Sequence, residues 1–190
     1  MKILIIDNYD SFTYNLVYLV RELGYESSME VVRNDKFELN HVNDFDKILL
    51  SPGPGIPEEA GLMPEVIREF APSKDILGIC LGHQGIAEGF GGKLRNLDRV
   101  LHGIQGEALL SVNKTPLFKN LPNKIKVAHY HSWVVDEGFV PDCFEVTART
   151  EQGLVMGISH KEFKVEGLQF HPESILTEFG KEIIDNWINR

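Results

Sequence analysis

A cysteine, Cys80, stands between Gly78 and Gly82, directly after the apolar run Ile76–Ile79. The pattern Gly-x-Cys-x-Gly is the sulfur counterpart of the Gly-x-Ser-x-Gly nucleophile elbow, in which a strand turns sharply into a helix. Flanking glycines permit such a turn. The exposed N–H groups and partial positive charge of a helix N-terminus favour a thiolate over a thiol. The pattern therefore predicts that Cys80 is a nucleophile.

A nucleophilic cysteine needs a base, and the base needs a group that fixes its tautomer and stabilises its positive charge. His171 and Glu173, separated by Pro172, supply both groups. The proline disfavours helical backbone at His171, and residues two apart in extended chain project to the same side. A predicted strand, Phe163–Phe170, would deliver them at its C-terminal end, the edge where open α/β sheets bind ligands.

A rigid turn of sequence Ser-Pro-Gly-Pro-Gly-Ile-Pro, residues 51–57, follows the apolar run Lys47–Leu50. Its glycines allow close approach of the backbone to a ligand. We expect a free N–H of Gly53 or Gly55, together with the N–H of Leu81 beside the nucleophile, to form an oxyanion hole.

The elements that must position these groups follow a βα rhythm in the first half of the chain. The apolar runs Ile3–Ile6, Lys47–Leu50 and Ile76–Ile79 are each followed by loop residues and a helical pattern, which predicts a parallel sheet. The first helix should begin near Ser11 and end at Gly24. Further predicted elements are a strand at Ser28–Val32 and helices at Pro64–Phe70 and Gln84–Phe90.

The second half of the chain is rich in short β-type runs, which are typical of antiparallel hairpins and meanders. The runs are Gly106–Val112, Lys124–His129, Phe144–Ala148, Leu154–Ser159 and Phe163–Phe170. A final helix, Thr177–Ile188, should bury one face composed of Phe179, Ile183, Ile184 and Trp187. The pattern predicts a single α/β domain over residues 1–190, with a flavodoxin-like, open, mostly parallel sheet, helices on both faces and some additional antiparallel strands.

Composition narrows the class of protein. The 190 residues carry a formal net charge of -9, which argues against a nucleic-acid partner or an anionic membrane surface. The two cysteines, Cys80 and Cys143, form no disulfide or metal-binding pattern, and free thiols suit a reducing cytoplasm. The apolar N-terminal run stops at Asp7, and no segment reaches the roughly 18 apolar residues of a membrane span.

Together, segments 78–84, 51–55 and 171–173 resemble the triad, or class I, glutamine amidotransferases. Segments 7–15 (Asp-Asn-Tyr-Asp-Ser-Phe-Thr-Tyr-Asn) and 129–132 (His-Tyr-His-Ser) are similar to the glutaminase subunits of anthranilate synthase and of 4-amino-4-deoxychorismate synthase. The resemblance covers essentially the whole chain. It implies a glutamine-hydrolysing enzyme that needs neither a cofactor nor a metal.

The resemblance also implies roles for individual residues. Cys80 would attack L-glutamine and form a thioester, His171 would act as general acid and base, and Glu173 would orient it. The ammonia would pass to a chorismate-binding synthase subunit, component I of either synthase, which we expect to be a separate protein. Contacts to glutamine and its oxyanion are implied at Gly53, Pro54, Gly55, Leu81, Gln84, Ser132 and Trp133.

Two positions depart from the family pattern: Gly85 stands where alanine is frequent, and Trp133 where leucine is common. Glycine at the first position should loosen the helix by about 1 kcal/mol. Two histidines, His129 and His131, have the spacing of metal ligands on one strand face, but no third ligand is evident, so we interpret them as structural. No motif surrounds Cys143, which we interpret as an inert thiol.

Two other functions share some of these features. A cysteine hydrolase or peptidase on a related α/β fold would also use an elbow and a histidine, although the Pro-Gly-Pro-Gly turn disfavours it. A non-enzymatic flavodoxin-like binding module would leave Cys80 unreactive. Within the family, the sequence favours the anthranilate subunit over the aminodeoxychorismate subunit only weakly.

Overall fold

A nine-stranded mixed sheet forms the centre of the protein in the computed structural model, which describes all 190 residues. The strands are β1 (Ile3–Asp7), β2 (Met29–Arg33), β3 (Lys47–Leu50), β4 (Asp75–Ile79), β5 (Leu94–Leu110), β6 (Lys124–Val135), β7 (Phe144–Arg149), β8 (Val155–His160) and β9 (Val165–Leu168). Their order is β2-β1-β3-β4-β9-β8-β7-β5-β6. The pairings from β2 to β9 are parallel, and those from β9 to β6 are antiparallel.

Strands β1, β3 and β4 are rich in apolar residues because both faces of the sheet are covered there. Every residue of β1, β3, β4 and β9 is buried. The helices are α1 (Thr13–Glu22), α2 (Met63–Phe70), α3 (Leu81–Gly89) and α4 (Gly180–Ile188). One apolar cluster joins α1 and α4 to one face of the sheet, and a second joins α2 and α3 to the other. The predicted α/β architecture with helices on both faces is confirmed.

The first helix begins at Thr13, two residues later than predicted, and Phe12 precedes it without capping it by its side chain. Asp10 stabilises the turn that precedes the helix, because its carboxylate accepts the Phe12 N–H at 2.7 Å. Gly24, with φ +90°, ends the helix as predicted, since a left-handed residue is the usual stop signal.

The last helix begins at Gly180, three residues later than predicted. Phe179 precedes it in the left-handed region, with φ 59°, and its side chain is 40% exposed. It therefore does not belong to the buried face, which Ile183, Ile184 and Trp187 do form. A Cβ at Gly180 would overlap the Pro172 carbonyl, so the start of α4 lies directly against the His-Pro-Glu segment.

The antiparallel half of the sheet is larger than the sequence indicated. Strand β5 extends over 17 residues, whereas only Gly106–Val112 had the apolar pattern of a strand. Most of its side chains are exposed or half-buried, so hydrogen bonding to β6 holds it rather than burial. Strand β9 is also not simply a hairpin strand, because it lies between β4 and β8 and joins the two halves. None of the helices is both long and apolar enough to cross a lipid bilayer.

Candidate active site

Cys80 lies at the sharp turn between β4 and α3, with φ 51° and ψ -101°. A non-glycine residue in this region costs about 1–3 kcal/mol and is typical of functional sites. The glycines beside it act through their size rather than through unusual dihedral angles. A Cβ at Gly78 would overlap the backbone of Gly82, and a Cβ at Gly82 would lie 2.6 Å from the Leu50 carbonyl oxygen. They let α3 approach the sheet and hold the cysteine in place.

His171 and Glu173 form a buried pair just beyond the end of β9. The Nδ1 atom of the imidazole lies 2.6 Å from Oε1 of the carboxylate. The backbone is fixed as well, because the Thr177 hydroxyl donates to the His171 carbonyl at 2.6 Å. With Nδ1–H donating to the carboxylate, Nε2 is the nitrogen left for proton transfer.

The charge state of His171 depends on Cys80. Burial opposes a charge on the ring, but hydrogen bonding toward Cys80 and Glu173 and the charges of both groups outweigh it. They raise the pKa of His171 to about 10. The Nε2 atom nevertheless has no partner at full hydrogen-bonding geometry. Hydrogen bonds at active sites are often poorly aligned before substrate binds.

Two aromatic rings pack against the imidazole of His171. The Phe12 and Tyr130 rings meet that of His171 edge-on, with centroid distances of 5.6 and 5.0 Å. The Tyr130 hydroxyl also lies 3.3 Å from the hydroxyl of Ser174, in the loop that carries His171. Sequence reasoning assigned neither ring to the site.

The Pro-Gly-Pro-Gly turn lies against Asn8, at the end of β1. Asn8 binds Ser51 twice, with its N–H donating to the hydroxyl and its side-chain amide donating to the carbonyl, each at 2.8 Å. A Cβ at Gly53 would lie 2.7 Å from the Asn8 Cβ, and Gly55 has φ +73°. The N–H groups of Gly53, Gly55 and Leu81 make no hydrogen bond within the protein. They are therefore free to bind an oxyanion.

A cavity of about 170 Å³ opens onto the Cys80 thiol. It is smaller than the roughly 300–1,000 Å³ of drug-sized sites and suits a small metabolite. Six of the seven expected contacts line it, and the seventh, Leu81, lies beside Cys80 against Gly53. The lining residues are Gly53, Pro54, Gly55, Cys80, Gln84, Tyr130, His131, Ser132 and Trp133.

The two histidines on β6 face each other, with Nδ1 of His129 lying 3.1 Å from Nε2 of His131. Burial, and secondarily the charge of His171, lowers the pKa of His129. Burial followed by the charges of His129 and His171 lowers the pKa of His131 to about 3. Both are neutral at physiological pH. No third side chain lies close enough to complete a metal site with them.

The departure at Gly85 has a packing reason. A Cβ there would lie 2.7 Å from the terminal methyl group of Met63 and 3.2 Å from Cδ1 of Ile67. The space that alanine would fill is therefore already occupied by α2. At the second departure, the backbone of Trp133 contacts the site. Its carbonyl accepts a hydrogen bond from the Gln84 side chain at 2.9 Å.

Sequence reasoning missed Gln169, which is fully buried. Its Nε2 lies 3.6 Å from the Cys80 sulfur. A signal for it was present, because Gln169 precedes His171 by two residues and extended chain places such residues on the same side.

The chain is similar to known proteins over nearly its whole length. The family model "Glutamine amidotransferase class-I" matches residues 4–190. The aminodeoxychorismate/anthranilate synthase component 2 of Bacillus subtilis is 45% identical over 188 residues, which cover 98% of this chain and 95% of that protein. The bifunctional protein TrpGD of Thermotoga maritima is 43% identical over 190 residues, 99% of this chain, but the chain spans only 32% of its length.

A solved structure extends the likeness to three dimensions. A Thermoplasma acidophilum protein described as one subunit of a GMP synthase superimposes with a TM-score of 0.87 at 29% identity, covering 99% of this chain and 92% of that one. The match of the family model and the identity with full-length relatives lead to one conclusion. The chain belongs to the class I glutamine amidotransferase family and is an enzyme of that class.

Proposed function

We propose that this chain is the glutaminase subunit of anthranilate synthase, and that residues 1–190 form one glutamine amidotransferase domain. It hydrolyses L-glutamine and supplies ammonia to a chorismate-binding synthase subunit for tryptophan biosynthesis. The observation that carries the proposal is the strained Cys80, which shares one small cavity with the oxyanion turn and interacts with His171 strongly enough to help raise its pKa.

The first chemical step is attack of the Cys80 thiolate on the carboxamide carbon of glutamine. A carbon–sulfur bond forms, and the carbonyl electron pair moves to oxygen, where the N–H groups of Leu81 and of Gly53 or Gly55 bind it. The intermediate collapses to a γ-glutamyl thioester as the carbon–nitrogen bond breaks. His171 gives its proton to the leaving nitrogen, which departs as ammonia.

The second step is hydrolysis of the thioester. Neutral His171 takes a proton from water, the resulting hydroxide adds to the thioester carbon, and the carbon–sulfur bond breaks to release glutamate and restore the thiolate. The Glu173 carboxylate keeps the imidazole in one tautomer and balances its positive charge. Both steps are balanced by groups of the chain, glutamine and water.

The remaining contacts orient the substrate. The backbone of Ser132 and Trp133, at the end of β6, and the Pro54 side of the oxyanion turn surround the cavity. Gln84 contributes through Oε1, because that atom accepts no hydrogen bond within the protein, whereas its nitrogen donates to Trp133 and Gln169.

The names of the relatives support a separate synthase subunit as partner. A protein named component 2 belongs with a component 1, and the Bacillus subtilis relative carries both the anthranilate and the aminodeoxychorismate name. The second candidate is therefore the glutaminase subunit of 4-amino-4-deoxychorismate synthase, which runs the same chemistry with a different component I. The two free thiols suit a cytoplasmic complex.

Reconstitution with each component I distinguishes the two pathways. The purified chain is mixed with an anthranilate synthase component I or an aminodeoxychorismate synthase component I from the native host, with chorismate and glutamine. Formation of anthranilate, but not of aminodeoxychorismate, supports the first candidate, and the reverse result supports the second.

The glutaminase role has its own control in the same mixtures. Cys80→Ser should abolish synthesis from glutamine and leave synthesis from ammonium salts unchanged, because component I makes its product from ammonia directly. If Cys80→Ser still uses glutamine, the proposed function is wrong.

A further inference from the structure

Three hydrogen bonds join the backbone of β6 to the nucleophile. The nitrogen of the Gln84 side chain donates to the Trp133 carbonyl at 2.9 Å and to Oε1 of Gln169 at 3.2 Å. The Gln169 nitrogen then lies 3.6 Å from the sulfur of Cys80, within range for a sulfur acceptor. Gln84 and Gln169 are 3% and 0% exposed, so water does not compete for these bonds.

The direction of this relay is set by its first member. A backbone carbonyl can only accept, so the atom of Gln84 that faces Trp133 must be the nitrogen. The second hydrogen of that nitrogen then requires the oxygen of Gln169, which leaves the Gln169 nitrogen toward the sulfur. The assignment of both amides therefore follows from the hydrogen-bond network.

A donor aimed at sulfur favours a thiolate, because hydrogen bonds to a charged acceptor are stronger than those to a neutral one. We propose that Gln169 is a third catalytic residue around Cys80, which holds the sulfur in its thiolate form and in the attacking orientation. Gln84 is the positioning residue that keeps the amide nitrogen of Gln169 turned toward the sulfur. The inference rests on the proposed function of Cys80 as nucleophile.

The backbone supports the same arrangement. Cys80 donates its N–H to the Leu168 carbonyl at 2.8 Å, and Gln169 donates its own N–H to the Met156 carbonyl at 2.9 Å. The backbone of Cys80 is thus bonded to the end of β9 and that of Gln169 to β8, so the sheet fixes the positions of both backbones. The sheet therefore keeps the Cα atoms of Cys80 and Gln169 close enough for their side chains to meet.

Among the titratable groups around the site, His171 is the one that also favours a thiolate. His131 and His83 are neutral because burial lowers the pKa of each to about 3. The charged partner is His171, with Glu173 behind it. All four side chains are retained when Gln169 is replaced, so a shift in the pH midpoint of alkylation has its origin in the loss of the Gln169 donor.

The test is the pH dependence of Cys80 alkylation by iodoacetamide, measured on the full chain by mass spectrometry of the Cys80 peptide. Gln169→Met keeps the side-chain length but removes the donor. It should move the pH midpoint of alkylation upward by about one unit, with the rate at high pH within about threefold of the wild-type rate. Gln84→Met should move it in the same direction by less, and the exposed Gln152→Met is the matched control.

The outcomes are distinguishable. A midpoint shift in Gln169→Met but not in Gln152→Met supports the inference. An equal loss of rate at every pH, with no shift, means that Gln169 only supports the structure and overturns it. If Gln169→Met fails to fold by circular dichroism, the Gln84→Met profile decides alone, and an unshifted midpoint there counts against the relay. If wild-type Cys80 is not alkylated at all, the proposed function itself fails.

Discussion

The Nδ1 atom of His171 lies 2.6 Å from Oε1 of Glu173, and Pro172 is the one residue between them in the sequence. Both side chains are nearly sealed from solvent, and Oε2 of the glutamate has no hydrogen-bond partner. A buried carboxylate with one unpaired oxygen is costly unless a charge compensates it. The imidazolium supplies that charge, so the acid and the histidine stabilise each other.

Glu173→Gln should lower glutamine hydrolysis by about 10³-fold or more, because the neutral amide neither fixes the tautomer nor balances the imidazolium charge. The measurement is kcat for glutamine hydrolysis in the reconstituted complex. Glu182→Gln, at an exposed position of α4, is the control and should change nothing. Retention of more than about a tenth of the activity in Glu173→Gln would contradict the role of orienter.

Cys80→Ala should lower the pKa of His171 well below its value of about 10, because the cysteine contributes two of the effects that raise it while burial lowers it. Titration of the ring by nitrogen-15 NMR measures this directly. In the wild type, the charged His171 stabilises the fold fully below its ordinary pKa of 6.5, and this contribution disappears as the pH rises through about 10. If the pKa of His171 is unchanged in Cys80→Ala, Cys80 does not influence the charge state of His171.

Gly78→Ala should destabilise the protein by about 3 kcal/mol, because its Cβ would overlap the backbone of Gly82, which cannot rotate away. Gly138→Ala is the control, since its Cβ would meet only the Asp136 carboxylate, at an ordinary 3.4 Å. Its effect should stay within about 0.5 kcal/mol. Urea unfolding measures both, and equal stabilities would show that the elbow tolerates a side chain.

Arg190→Ala should cost about 3 kcal/mol at neutral pH, because removing one member of a buried ion pair leaves an uncompensated charge. The Arg190 guanidinium binds the buried carboxylates of Asp75 and Glu166, and Nζ of Lys47 lies 2.6 Å from Oδ2 of Asp75. The measurement is the free energy of unfolding in urea.

The pH dependence of the same variant checks the cause. Burial opposes the charge of Asp75, but its hydrogen bonds and attraction to Arg190 and Lys47 outweigh burial and lower its pKa below 3.8. Its contribution is therefore present above about pH 3.8 and lost below it, so the cost of Arg190→Ala should shrink in acid. Lys181→Ala, which breaks an exposed pair with Glu22, should cost less than about 1 kcal/mol at any pH.

Much of the fold could be predicted because burial dominates its parallel half. Strands β1, β3 and β4 are buried on both faces, so their apolar runs locate them almost to the residue. The sharp turn at Cys80 and the contact between His171 and Glu173 could also be predicted, since the elbow and the His-Pro-Glu segment constrain the backbone locally. Short local patterns were enough for these features.

The features that could not be predicted depend on contacts between residues distant in the sequence. Strand β5 has no apolar alternation over most of its length, because its partner β6 holds it by backbone hydrogen bonds. The contact of Gln169 with Cys80 joins residues 89 apart and exists only because β9 lies beside β4. The close approach of Gly180 to Pro172, next to the left-handed Phe179, is likewise a contact that no local pattern encodes.

Covalent labelling of Cys80 tests the central claim most directly. The complex is treated with an electrophilic analogue of glutamine, with and without an excess of glutamine, and its peptides are analysed by mass spectrometry. The account predicts one adduct, on Cys80, which glutamine prevents and which His171→Ala slows by at least about 10²-fold. An adduct on Cys143 alone, or labelling of Cys80 that glutamine does not reduce, would contradict it.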